Sequence, residues 1–229
     1  LHLSSWEVAH RGAAKCREIL SLVLHCICII GALLTIIPMA MVWRWSPHDQ
    51  EMVMAASNWE HSRRRCPLYV STEADASWGT ESMAPCMFAA AMPVLFLVLS
   101  ITLAIFHTFI IQTWGKSGEP PSIVFNREYC LIILGITTVE AVFAFAVAIT
   151  VTDGIRETCH SYTLSESEHK PSSCKDGFHY REESARSLWF DTFGKLLMGF
   201  VGSWIVAFAT TFIAVVYLAR SRICSCGDT

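Results

Sequence analysis

Charge is scarce in these 229 residues: Lys, Arg, Asp and Glu together make up 16% of the chain, against roughly 25% in soluble domains. With 53% hydrophobic residues, the chain has more apolar surface than a soluble core of this length needs. Asparagine is almost missing: Asn58 and Asn126 are the only two, and neither opens an N-x-[ST] glycosylation site. The net charge of −3 and the lack of a basic face argue against nucleic acid as a partner. The signatures G-x-x-x-x-G-K-[ST], G-x-G-x-x-G, H-E-x-x-H and G-x-S-x-G do not occur. No enzyme chemistry and no cofactor are therefore expected.

What the chain does have is four long apolar runs, over 19–43, 86–111, 129–151 and 188–218. A helix rises about 1.5 Å per residue and the hydrocarbon layer is about 30 Å thick, so roughly 20 apolar residues suffice to cross. Backbone groups cannot stay unpaired in lipid, which makes each run a helix. The expected fold is an all-α integral membrane four-helix bundle in a lipid bilayer. Residues 1–18 form a cytoplasmic leader, 44–85 and 152–187 two extracellular loops, 112–128 a cytoplasmic loop and 219–229 a cytoplasmic tail. The first run is too long for a cleavable signal peptide. Since the chain does not begin with methionine, its N-terminus is expected to be processed or preceded by further sequence.

Two features orient the spans. With both termini cytoplasmic, the inner segments hold seven basic residues (Arg11, Lys15, Arg17, Lys116, Arg127, Arg220, Arg222) and five acidic ones, including Glu18. The two long loops hold nine basic and thirteen acidic residues, a modest positive-inside bias. Those loops also carry Cys66 and Cys86 in one case and Cys159 and Cys174 in the other, and disulfides persist in oxidising compartments. Four cysteines allow three pairings. Cys66–Cys86 and Cys159–Cys174 are favoured because short closures form as each hairpin is translocated, while cross-loop pairing stays open. His48, His61, His160, His169 and His179 share these loops, but without C-x2-C or H-x3-H spacing they read as solvated side chains, not zinc ligands.

The stretch Arg65-Cys66-Pro67-Leu68-Tyr69, some twenty residues before a cysteine at the head of the next span, resembles the R-C-P-L-Y signature of the transmembrane protein 179 and 179B family. A second outer loop with two cysteines and Ser203-Trp204 in the fourth span are similar too. The resemblance implies a four-span membrane protein without catalytic residues. Claudins and tetraspanins fit worse, since the first loop has no W-C-x-C core and the second no C-C-G.

Charges within the spans are the strongest functional candidates. Glu140 lies midway along the third, where an ionised carboxylate is costly, so it should be protonated, paired or turned toward polar groups. Thr137, Ala141, Ala144 and Ala148 surround it at helical spacing and make a small-residue face for close helix approach. Asp191 and Lys195 stand four residues apart in the favourable order for a helical ion pair, and Lys195 is also within reach of Glu140 by depth. Gly199-x-x-Gly202 should allow close packing of span four, while Pro38 and Pro93 should bend spans one and two. His25 and His107 are expected to hydrogen-bond to neighbours. Cys16, Cys224 and Cys226, at the expected cytoplasmic edge, are candidate palmitoylation sites.

Two functions fit these residues. The first is an interaction or auxiliary subunit that presents its outer loops and helix faces to another membrane protein, such as a channel, receptor or adhesion protein, at the plasma membrane or along the secretory route. The second is a small transporter or channel using Glu140. Spans one and four are nearly all apolar across their midplanes, which ranks the first ahead.

Overall fold

The computed structural model describes residues 5–44, 68, 84–119, 121–164, 173–175 and 192–225. Among the described residues the architecture is entirely helical: α1 (Ser5–Arg44), α2 (Ala84–Ser117), a 3-10 turn (Ser122–Phe125), α3 (Arg127–Leu164) and α4 (Thr192–Ser225). All four α-helices are long and apolar enough to cross a membrane. Between 33 and 44% of each span is buried, which leaves the larger share of every helix facing outward. That outward surface is made of large apolar side chains, such as Ile30, Ile105, Phe109, Val142 and Phe212. A surface of this kind is stable against lipid tails and not against water.

Burial follows a spacing of alternating threes and fours in each helix. On α1 the buried positions include Ala14, Glu18, Ser21, His25, Cys28, Ala32, Thr35 and Met39. On α2 they include Cys86, Ala89, Phe96, Ser100, Leu103, His107, Ile110 and Trp114, and on α4 Ser203, Val206, Thr210, Ile213, Tyr217 and Arg220. A mean period of 3.5 keeps one seam in register with a neighbouring helix, as in coiled-coil packing. Many seam residues are small or polar, mixed with large apolar ones such as Phe96, Leu103, Ile110 and Ile213; the small ones let backbones approach closely and gain dispersion contacts. Thr137, Ala141, Ala144 and Ala148 all belong to the buried set, as expected.

Helix limits differ from the expected spans. α1 takes in residues 5–18, because the seam continues through Ala14 and Glu18 and most residues here are good helix formers. α3 continues past Val151 to Leu164, since residues 152–164 keep the hydrogen-bond ladder and the seam, with Thr158 buried and its Oγ1 bonded to the Gly154 carbonyl at 2.8 Å. Pro38 and Pro93 lie inside helices that continue beyond them.

The helices form two compact units. One comprises Leu1–Ala32, Leu95–Phe145 and Trp204–Thr229 and takes part of every helix. Within it, Glu18 meets His107, and Phe106 meets Tyr129 at 5.7 Å. Tyr129 meets Tyr217 at 6.4 Å and Phe145 meets Trp204 at 6.0 Å between ring centroids. Because one partner's number falls as the other's rises, α3 and α4 run antiparallel there. The other unit comprises Leu33–Val94 and Ala146–Ser203. It contains fully buried Leu68 of the Arg65–Tyr69 pentapeptide, and the disulfide between Cys159 and Cys174, whose Cα atoms are 5.0 Å apart. Cys86 is disulfide-bonded as well, while Cys66 lies outside the described residues.

Gly199 faces Met39 in that second unit, and a Cβ built on it would sit 3.5 Å from Met39 Cγ. This is ordinary van der Waals distance. Gly199→Ala should thus retain stability, its clearance matched by a helix-propensity gain of up to about 1 kcal/mol. Gly199→Leu should lose about 1–3 kcal/mol by overpacking. Reversible unfolding in mixed micelles distinguishes them, and equal stability of the Leu variant would place Met39 elsewhere.

Candidate functional site

The most polar part of the interior is built around one carboxylate in the first unit. Glu18, 1% exposed, accepts from Arg220 Nη1 on Oε1 at 2.6 Å and pairs through Oε2 with His107 Nδ1 at 2.8 Å. His107 uses its other nitrogen, Nε2, with the Tyr217 hydroxyl at 3.2 Å, and Tyr217 meets the Tyr129 hydroxyl at 3.5 Å. Arg220 completes the set by donating from Nη2 to the Val124 carbonyl. Its guanidinium carbon lies 5.5 Å from the Tyr129 ring centre and 5.8 Å from that of Tyr217, within cation–π range.

Local sequence explains why Val124 offers its carbonyl. Gly118 ends α2 with φ +72°, a left-handed conformation that glycine adopts without a Cβ penalty, and its N–H closes on Trp114 O at 3.0 Å. Pro121 then leads into the 3-10 turn, where Val124 N–H donates to the Pro121 carbonyl at 3.0 Å. Asn126 Oδ1 accepts from Glu128 N–H at 2.8 Å and caps the start of α3. Val124 is held between these anchors, 1% exposed, with its carbonyl available to Arg220.

A second polar group lies further along the same unit. Glu140 is 3% exposed and accepts from Ser100 Oγ at 3.5 Å on Oε1, while Oε2 has no hydrogen-bond partner. Within this unit a short hydroxyl, that of Ser100, is what reaches the Glu140 carboxyl. Ser100 also hydrogen-bonds the thiol of Cys28. Between these groups and the Glu18 cluster is His25, fully buried and stacked on His107 with centroids 5.4 Å apart and planes 21° from parallel.

These contacts correct several expectations. Glu18 and Arg220, counted with the cytoplasmic charges, are buried partners of each other. His107 bonds to neighbours as expected, whereas neither nitrogen of His25 has a partner. Span one is not apolar on every side: Glu18, Ser21, His25, Cys28 and Thr35 form one buried polar face. Lys195 is partly buried on α4, in the second unit. Cys16 is an exposed free thiol. Asp191 and Cys226, and the side chain of Cys224, lie outside the described residues. Among the described residues, no three His, Cys, Asp or Glu side chains come together as a metal site requires.

No family model, no curated protein and no solved structure matches this chain.

Removing one partner of a buried ion pair strands the other in a low dielectric, which costs about 3–5 kcal/mol. Glu18→Leu and Arg220→Leu should each lose about that much stability. The double variant should lose at least about 1 kcal/mol less than the two losses combined. Equilibrium unfolding of the four proteins in one lipid mixture measures this coupling, and additive losses would show that the two groups do not interact.

Proposed function

We propose that this chain is a non-enzymatic, four-span membrane protein that serves as an interaction or auxiliary subunit for another membrane protein. The observation that carries this reading is the polar extension of α3. Residues 152–164 continue the helix beyond the apolar run, and Cys159 on this extension is bonded to Cys174. Closing a 15-residue loop contributes about 3 kcal/mol in the chain-entropy account. A helical extension braced by a disulfide gives a partner a preordered segment, which lowers the entropic cost of binding. In this reading both termini are cytoplasmic, the projection is extracellular, and the protein resides in the plasma membrane or another secretory-route membrane. The resemblance of Arg65–Tyr69 to the transmembrane protein 179 and 179B family fits this assignment.

A second reading, a small transporter or channel, draws on the buried polar face of α1 and on Glu140. It ranks lower because the charge on that face, Glu18, is bonded to His107 and to Arg220 of α4, and Arg220 is bonded in turn to Val124.

Affinity purification from native membranes in mild detergent, followed by mass spectrometry, separates the two. The interaction reading expects one channel, receptor or adhesion protein to be recovered repeatedly. Recovery should fall several-fold for Cys159→Ser/Cys174→Ser at equal membrane abundance. Ion flux in liposomes that disappears with Glu140→Gln, together with no reproducible partner, would favour the second reading.

A further inference from the structure

Among the described residues, three groups of the first unit hold buried hydrogen-bonding atoms that no protein group takes up: Arg17 at Nε, His25 and Glu140. His25 has both ring nitrogens unpartnered at zero exposure, and Glu140 has Oε2 unpartnered. An unpaired buried polar group costs about 1–3 kcal/mol, so the unpartnered atoms of His25 and Glu140 require a reason. They are joined by proton-bearing neighbours. His25 stacks on His107, which holds Glu18. Cys28 follows His25 by one turn on the same face of α1 and bonds Ser100, which bonds Glu140.

We infer that this line, from Glu18 and His107 through His25 to Ser100 and Glu140, is a proton path entered beside Arg220 and Val124 and ending at Glu140. Every station exchanges protons, and internal water between stations is the usual means of satisfying such groups. His25 is suited to the central step because both nitrogens are uncommitted: one nitrogen takes a proton from an internal water, which is reprotonated from the Glu18–His107 pair, as the other nitrogen gives its proton to a second water, and the ring is left neutral. A water then passes the proton to Ser100, whose hydroxyl proton moves to the Glu140 carboxylate while the hydroxyl takes the incoming one. Other titratable groups face the line: Cys28 from α1, Tyr129 and Cys130 from α3, and Tyr217 and Arg220 from α4. From Glu18 to Cys28 the line covers about 15 Å of helix, half of a hydrocarbon layer of about 30 Å. Beyond Glu140 the next buried positions of α3 are Ala141, Ala144, Val147, Ala148 and Val151, which carry no exchangeable side-chain proton. On α3 the line stops at Glu140, and in this inference the path is one-sided, so that the occupancy of Glu140 follows the proton concentration at the loop end of the bundle. Chains of carboxylates and histidines serve this purpose in membrane pumps and transporters.

The inference narrows the transport reading to protons but is tested separately from net flux, which a one-sided path need not support. The test uses the full chain in lipid nanodiscs. Infrared difference spectra identify the Glu140 carboxylic acid band as the one lost in Glu140→Gln, and its rate of deuterium exchange after transfer to heavy water is recorded. His25→Phe and, independently, Ser100→Ala should slow that exchange on the order of tenfold or more, the effect of losing about 1.4 kcal/mol of relay hydrogen bonding. Thr35→Val, a buried polar site off the line, should leave it unchanged. Helical circular dichroism and thermal midpoint identify any variant that has lost its fold, and the other relay variant then decides. Unchanged exchange in a folded relay variant, equal slowing by Thr35→Val, or no Glu140-dependent acid band across about pH 5 to 8 would overturn the inference.

Discussion

A carboxylate inside an apolar bundle cannot be left alone, and the arrangement of the first unit follows from how Glu18 is satisfied. One oxygen takes Arg220, 202 residues away in sequence, and the other takes His107, 89 residues away. Desolvating these groups costs several kcal/mol per ion, and that cost is offset only when each remaining donor and acceptor is also used. Here Tyr217 takes the second nitrogen of His107, and Val124 takes the second arm of Arg220. Slipping any one helix by a turn would break at least one of these bonds. The network therefore sets the register of α1, α2 and α4 with a precision that contacts between small apolar residues do not provide.

The same constraint explains why the helices appear inverted by the standards of soluble proteins. Their buried seams carry serine, threonine, histidine, cysteine and alanine among a smaller number of large apolar side chains, while many isoleucines, valines, leucines and phenylalanines point outward. Lipid accepts large apolar side chains without a hydrophobic penalty, so the interior is free to be selected for close approach and hydrogen bonding. Several seam hydroxyls are satisfied by their own helix: Thr137 bonds to Ile133 O and Thr210 to Val206 O, both at 2.8 Å. Polar side chains thus cost little where the backbone one turn earlier accepts them. His25 and Glu140 lack complete local solutions of this kind, which makes them the functionally informative groups of the unit.

Much of this was legible in the sequence. Four apolar runs of bilayer length specified the helices, and the small residues around Glu140 marked its face as one that packs. The short separation of Cys159 and Cys174 favoured the bond that forms. Less legible was the fate of charges at the span ends. Glu18 and Arg220 lie at the borders of apolar runs, where composition alone reads them as solvated, and only tertiary contact shows that each hides the other. Spacing carried a signal all the same: Glu18, Ser21, His25 and Cys28 repeat at intervals of three and four, as do Thr210, Ile213, Tyr217 and Arg220. The Ser100 partnership of Glu140 had no comparable signal, because one serine in an apolar helix is common and its partner depends on helix register.

The most direct examination of this account is a distance. With nitrogen-15 in the His107 imidazole and carbon-13 in the Glu18 carboxyl, dipolar recoupling by solid-state NMR of the full chain in bilayers should give a contact consistent with the 2.8 Å separation of Nδ1 and Oε2. A Glu18 carboxyl that shows no coupling to His107 and instead exchanges magnetisation with bulk water would contradict the buried network and the helix register derived from it.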